Sequence, residues 1–111
     1  MNDTIRNLVE CFGPSGSEDR IRDLIREMVE PHADDLRVDT LGNLIVRKGG
    51  NGSGKRIMLS AHMDEIGVIV SYIDEKGFVR VQPVGGVSPM LEVGGRVQFE
   101  KIGRASCRER V

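Results

Sequence analysis

Tryptophan is absent from these 111 residues, and aromatic side chains make up only 4% of them. Surfaces that stack nucleic-acid bases need several aromatic faces, so none is expected here. An excess of one charge is also lacking. Lys and Arg total 16 against 17 Asp and Glu, a formal net charge of −1. That balance excludes the basic footprint of a nucleic-acid binder and the polybasic tail that seeks anionic membranes. No apolar run approaches the roughly 20 residues of a membrane-spanning helix. Residues 1–10 mix polar and apolar side chains and carry acids. No signal peptide is expected from them, and the expected compartment is the cytoplasm. Cysteine is scarce. Cys11 and Cys107 form no CxxC pair and no zinc-ligand cluster, so a disulfide framework is not indicated. Cys11 lies in an apolar helical pattern and reads as a small core residue, not a reactive thiol.

What remains is ordinary for a globular chain, with 39% apolar and 30% charged residues. The length allows one domain at most. Ile5, Leu8, Val9 and Phe12 share one helical face, which predicts a first helix over residues 3–11 that Gly13-Pro14 stops. Ser15-Gly-Ser-Glu18 has the spacing of a capping box, with Ser17 as the other candidate cap. Behind it, Ile21, Leu24, Ile25, Met28 and Val29 form the apolar stripe of a second helix that ends at Pro31. Arg20, Arg22, Asp23, Arg26 and Glu27 fall on its water face.

Alternation then replaces helical period. Leu36–Val38 and Leu44–Val46 read as a hairpin around Asp39-Thr-Leu-Gly-Asn43, and the Gly-rich stretch 49–54 reads as a mobile connector. Residues 56–61, Arg-Ile-Met-Leu-Ser-Ala, suit a buried central strand. From Val68 the pattern is all-β. Strands are expected over 68–73, 78–83 and 96–100, with Gly85-Gly86 and Gly94-Gly95 bracketing Ser88-Pro-Met-Leu91. That suggests a small barrel and a change of domain near Gly67.

Several chemistries fail on inspection. Gly49, Gly54 and Lys55 fit a phosphate loop, but Arg56 stands where Ser or Thr would bind magnesium, and a strand follows instead of a helix. No Gly-x-Ser-x-Gly elbow exists, and neither Ser60 nor Cys11 has an evident base. His32, at a helix end, is given no catalytic role, and Glu65 reads as a solvated loop residue. The sharper pattern is His62-x-Asp64 at the end of the 56–61 run. Period two puts both side chains on one face. A neutral imidazole is a good zinc or cobalt ligand, and a carboxylate two residues on can hold the ring. The same pair also fits a surface histidine bonded to its neighbour.

Three stretches together are more specific. Phe12-Gly-Pro-Ser-Gly-Ser-Glu18, Asp39-Thr-Leu-Gly-Asn43 and Leu59-Ser-Ala-His-Met-Asp-Glu-Ile-Gly67 resemble, in that order and spacing, the start of family 42 of the metallopeptidases. These are glutamyl/leucyl aminopeptidases that build tetrahedral twelve-subunit shells; some members go by the name endoglucanase. The resemblance covers residues 1–101. It implies an α/β fold in which residues 1–67 begin a phosphorylase/hydrolase-like catalytic domain holding two divalent metal ions, zinc or cobalt. Residues 68–101 would be the first strands of an inserted all-β barrel domain that mediates homo-oligomeric assembly. His62 would be a metal ligand, and Asp64 would orient its imidazole and count as catalytic. A metal-activated water would attack the N-terminal peptide bond of peptide substrates.

The family's bridging Asp, Glu-Glu pair, further acidic ligand and final His would all lie beyond these residues. A catalytic zinc uses three protein ligands plus water, so the chain is expected to be an incomplete, inactive fragment. A non-catalytic assembly or binding module without a working metal centre is the alternative, and the intact reading frame discriminates between them. A glycoside hydrolase would need a pair of carboxylates that is not convincingly present.

Residues 102–111, Ile-Gly-Arg-Ala-Ser-Cys-Arg-Glu-Arg-Val, resemble something other than protein. ATC GGA AGA GCG TCG TGT AGG GAA AGA GTG, a common sequencing adapter, encodes them in order. They are expected to be a non-native tail, set aside from fold reasoning. Without them the chain has 13 basic and 16 acidic side chains, a net −3.

Overall fold

In the computed structural model the described residues are 2–88, 94–100 and 103–106. Pro89–Leu91 of the bracketed turn, Cys107 and most of the set-aside tail lie outside them. The chain divides into two units, Met1–Asp64 and Glu65–Val111.

The first unit opens with helix α1 (Asn2–Glu10), then α2 (Asp19–Val29) and one 3₁₀ turn, Glu30–His32. Both helices follow the apolar stripes of the sequence. Proline at the second residue of the 3₁₀ turn stops α2, because it cannot donate to the helical ladder. α2 packs against α1 and against β2. Its stripe supplies the one buried hydrophobic side chain among the described residues, Ile21, 3% exposed. A β-carbon on Gly13 would stand 2.6 Å from Ile21 Cγ2, so only a glycine lets the chain lie this close over α2. Arg22 departs from expectation. Its guanidinium is largely covered, pairs with Asp19 and donates to the Gly42 carbonyl at 3.4 Å. It ties α2 to the following hairpin instead of facing water. Cys11 is half-buried and His32 is exposed.

β1 (Asp35–Val38) and β2 (Leu44–Arg47) pair antiparallel, Leu36 opposite Val46 and Val38 opposite Leu44. The loop between them is wired by Asp39. Its carboxylate accepts from the backbone N–H of Leu41 and of Asn43, both at 2.9 Å, and from the Asn43 amide at 2.8 Å. The loop Asp74–Phe78 of the second unit repeats this device, with Asp74 accepting from Lys76 and Phe78 N–H at 2.9 Å. In both, the residue three after the aspartate is glycine at positive φ, +87° at Gly42 and +83° at Gly77. Such loops need a left-handed residue there, which D-x-x-G supplies.

The expected central strand does not form. Residues 56–61 form no regular element, and Ile57, Met58 and Leu59 are 85%, 87% and 93% exposed. The reason is backbone accounting. A strand exists only where neighbours accept and donate its hydrogen bonds, and no strand among the described residues pairs with this run.

The second unit contains two further antiparallel hairpins. β3 (Gly67–Ile73) pairs with β4 (Val79–Val84), with a bulge between Val70 and Tyr72. The Ser71 hydroxyl there donates to the Arg80 carbonyl at 3.2 Å. β5 (Arg96–Phe99) pairs with β6 (Gly103–Ser106), so part of the set-aside tail is in a strand. Among the described residues these are separate two-stranded sheets. No helix among them is long and apolar enough to cross a membrane.

Candidate functional site

The site is built from three local structures of the first unit. The first is a turn. Ser17 N–H donates to the Pro14 carbonyl at 2.8 Å, and Gly16 lies at φ +90°. This is a four-residue turn whose third position requires a left-handed backbone, as glycine allows. Ser15 sits at its second position. The expected capping box is not formed. The N-cap of α2 is Glu18, which makes no side-chain cap. Glu18 Oε1 accepts from Gly16 N–H at 2.6 Å, bracing the turn instead. Ser15 Oγ turns away from the helix and donates to Asp64 Oδ2 at 2.5 Å, across 49 positions of sequence. That length suits an O–H···O⁻ bond to an ionised carboxylate.

The second structure is the Asp39 loop described above. The third is the segment Ala61–Asp64. His62 Nδ1 lies 3.0 Å from the Asp64 carbonyl oxygen and 3.1 Å from Asp64 Oδ1. A carbonyl and an ionised carboxylate can only accept, so Nδ1 carries the proton. In the neutral ring, the form in which imidazole binds metals, Nε2 then holds the lone pair. The ring is 86% exposed and the Asp64 side chain 37%. The Ser15 bond is the main cause that holds the Asp64 carboxyl below its ordinary range. The bond and charge of His62 act in the same direction, and loss of water contact acts against them.

A shallow cavity of about 160 Å³ joins these parts, lined by Glu18, Leu41, Gly42, Asn43 and Ala61–Asp64. The three stretches singled out in the sequence therefore meet at one place. His62 and Asp64 come into contact. Among the described residues no group of three or more His, Cys, Asp or Glu side chains is gathered to hold a metal ion. Sequence reasoning missed Ser15, which it assigned to a helix cap. The signal that could have found it is the spare hydroxyl of Ser17: two candidate caps stood before one helix.

Comparison with known proteins adds to this geometry. A family model described as M42 glutamyl aminopeptidase matches residues 42–106. A candidate aminopeptidase from Acetivibrio thermocellus is 50% identical over 100 residues, which is 90% of this chain and 30% of that protein. A lysyl aminopeptidase from Pyrococcus furiosus is 38% identical over 96 residues, 86% of this chain and 27% of the relative. Among solved structures, the TET1 peptidase of Pyrococcus horikoshii, which can assemble into a tetrahedron or a large octahedral shell, superposes with a TM-score of 0.78. It is 37% identical, over 93% of this chain and 31% of its own. The chain thus spans about three tenths of the length of the relatives it matches.

Proposed function

This chain belongs to the M42 glutamyl aminopeptidase family, and we propose that it supplies the first metal ligand of a dinuclear, metal-dependent aminopeptidase that removes N-terminal residues from peptides. The observation that carries the reading is the anchored imidazole. His62 presents an open Nε2 while both acceptors on Asp64 engage Nδ1. The donor set suits one corner of a zinc or cobalt centre, where a ligating histidine has its second nitrogen held by a carboxylate or carbonyl. Bound there, such ions act as Lewis acids and lower the pKa of a water molecule.

The chain's own residues have limited, separate tasks. His62 would hold the metal through Nε2. Asp64 keeps the proton on Nδ1 and fixes the plane of the ring, so that the lone pair points one way. The cavity beside them, walled by Leu41, Gly42 and Asn43, leaves room for a ligand to approach His62. Activity belongs to the whole protein, which would contribute the remaining ligands and the general base.

The hairpins of the second unit fit the start of an inserted β-barrel that mediates homo-oligomeric assembly. The shell-forming relative supports homo-oligomeric assembly. A cytoplasmic location is part of the same reading.

The test is His62→Ala in the whole protein. At least one bound metal ion and most peptidase activity should be lost. Metal content equal to the wild type would overturn the ligand assignment.

A further inference from the structure

We propose that Ser15 is a positioning residue for the metal ligand. Its hydroxyl holds Asp64, and through Asp64 it sets the orientation of the His62 imidazole. The inference deepens the reading of His62 as a ligand and rests on it.

A carboxylate held at one oxygen can still swing about its last side-chain bond. Asp64 is held at both. Oδ2 receives the Ser15 hydroxyl at 2.5 Å, and Oδ1 faces His62 Nδ1 at 3.1 Å. Two contacts on opposite oxygens define the carboxylate plane, and that plane defines where Nδ1–H must point. The hydroxyl is also a suitable chemical choice. It is neutral, so it leaves the negative charge of Asp64 available to the imidazole. A lysine or arginine there would compete for that charge.

The turn around Ser15 is built to deliver this hydroxyl. The Ser17-to-Pro14 bond closes it, Gly16 takes its left-handed position, and Glu18 receives the Gly16 N–H. On the other side, Gly13 lies hard against Ile21, the buried residue of α2. Every neighbour of Ser15 in the turn is thus fixed by a contact of its own. The Ser15 hydroxyl reaches out of the turn, and what it reaches is Asp64. A serine serving only the helix would have bonded to the free N–H groups of α2, and it does not.

The test uses the whole protein, stripped of metal and titrated with cobalt(II). The visible spectrum of the bound ion reports ligand geometry, and thermal melting is followed in parallel. Ser15→Ala should weaken cobalt binding by roughly 10- to 100-fold, the usual effect of removing an outer-sphere partner, and alter the cobalt bands. It should also lower kcat more than it changes KM. Ser15→Thr, which keeps the hydroxyl, should restore both affinity and spectrum. In an Asp64→Ala background, Ser15→Ala should cause no further loss. An alanine variant with wild-type affinity and spectrum would overturn the inference alone. So would a threonine variant as weak as alanine, or additive losses in the double variant. Failure of the wild type itself to bind cobalt, or wild-type binding by His62→Ala, would instead remove the ligand reading and this inference with it.

Discussion

Asp64→Asn keeps the shape of the side chain and removes its charge, which separates the two things Asp64 does for His62. In the wild type the Nδ1–H of His62 is shared between the Asp64 carbonyl at 3.0 Å and Asp64 Oδ1 at 3.1 Å. The backbone carbonyl survives the substitution. Because it can only accept, Nδ1 keeps its proton and Nε2 keeps its lone pair. The new amide can turn its oxygen to His62 and its NH₂ to Ser15, whose hydroxyl accepts as readily as it donates. Geometry is therefore retained, and the loss is that of the charge. A hydrogen bond to an ionised group contributes about 1.5–3 kcal/mol and a neutral one about 1 kcal/mol. The charged acceptor makes the stronger bond, and the exposure of both side chains lets water screen part of the difference.

We therefore expect metal-free whole protein carrying Asp64→Asn to bind cobalt roughly three- to tenfold more weakly by calorimetric titration. Asp64→Ala removes both side-chain contacts and strands the Ser15 hydroxyl, and should cost roughly 10- to 100-fold. The order wild type, Asn, Ala is the essential result. A loss of roughly a thousandfold or more for the asparagine variant would mean that the carbonyl does not secure the tautomer. Equal affinities for the Asn and Ala variants would mean that side-chain geometry is irrelevant. Either result refutes the reasoning.

Two further expectations concern the scaffold. Gly13→Ala would put a methyl group 2.6 Å from Ile21 Cγ2 and 2.9 Å from Ile21 Cβ; overpacking of this kind costs about 1–3 kcal/mol, and an unchanged denaturant midpoint would show that Gly13 does not lie on Ile21. The Asn43 amide, then the backbone N–H groups of Asn43 and Leu41, hold the Asp39 carboxyl below its ordinary value of 3.8. Its contribution to folding is therefore present above that value and lost as pH falls below it, through the folded value. The advantage of the wild type over Asp39→Asn in urea midpoint should shrink between about pH 5 and about pH 2, and a constant difference would contradict the loop wiring.

How much of this was legible in the sequence depends on the range over which each feature is decided. The helices were legible because an apolar stripe is a local pattern. So were the four hairpin strands on either side of Asp39 and Asp74–Gly77, because D-x-x-G contains both the acceptor and the left-handed residue its loop requires. The contact of His62 with Asp64 was legible because they stand two residues apart. Residues 56–61 mark where local reasoning stops. Composition shows that Ile57, Met58 and Leu59 would be content inside a sheet, but a strand is a property of its neighbours, and among the described residues it has none.

Ser15 and Arg22 fail differently, and more instructively. Each was assigned the best partner nearby in sequence: the N-terminus of α2 for Ser15, water for Arg22. Each instead meets a partner far along the chain, Asp64 for the serine and the Gly42 carbonyl for the arginine. A helix can dispense with a side-chain cap at a cost of about 1 kcal/mol. A donor on the second oxygen of a partly exposed carboxylate is worth a comparably modest amount, because water can replace it. Where two uses of one hydroxyl differ so little in energy, local pattern cannot rank them, and the fold decides by which partner it brings within reach. The residues around His62 are of this kind. The imidazole and its carboxylate announce themselves in the sequence, whereas the serine that holds the carboxylate still is identified only once the chain has folded back across 49 positions.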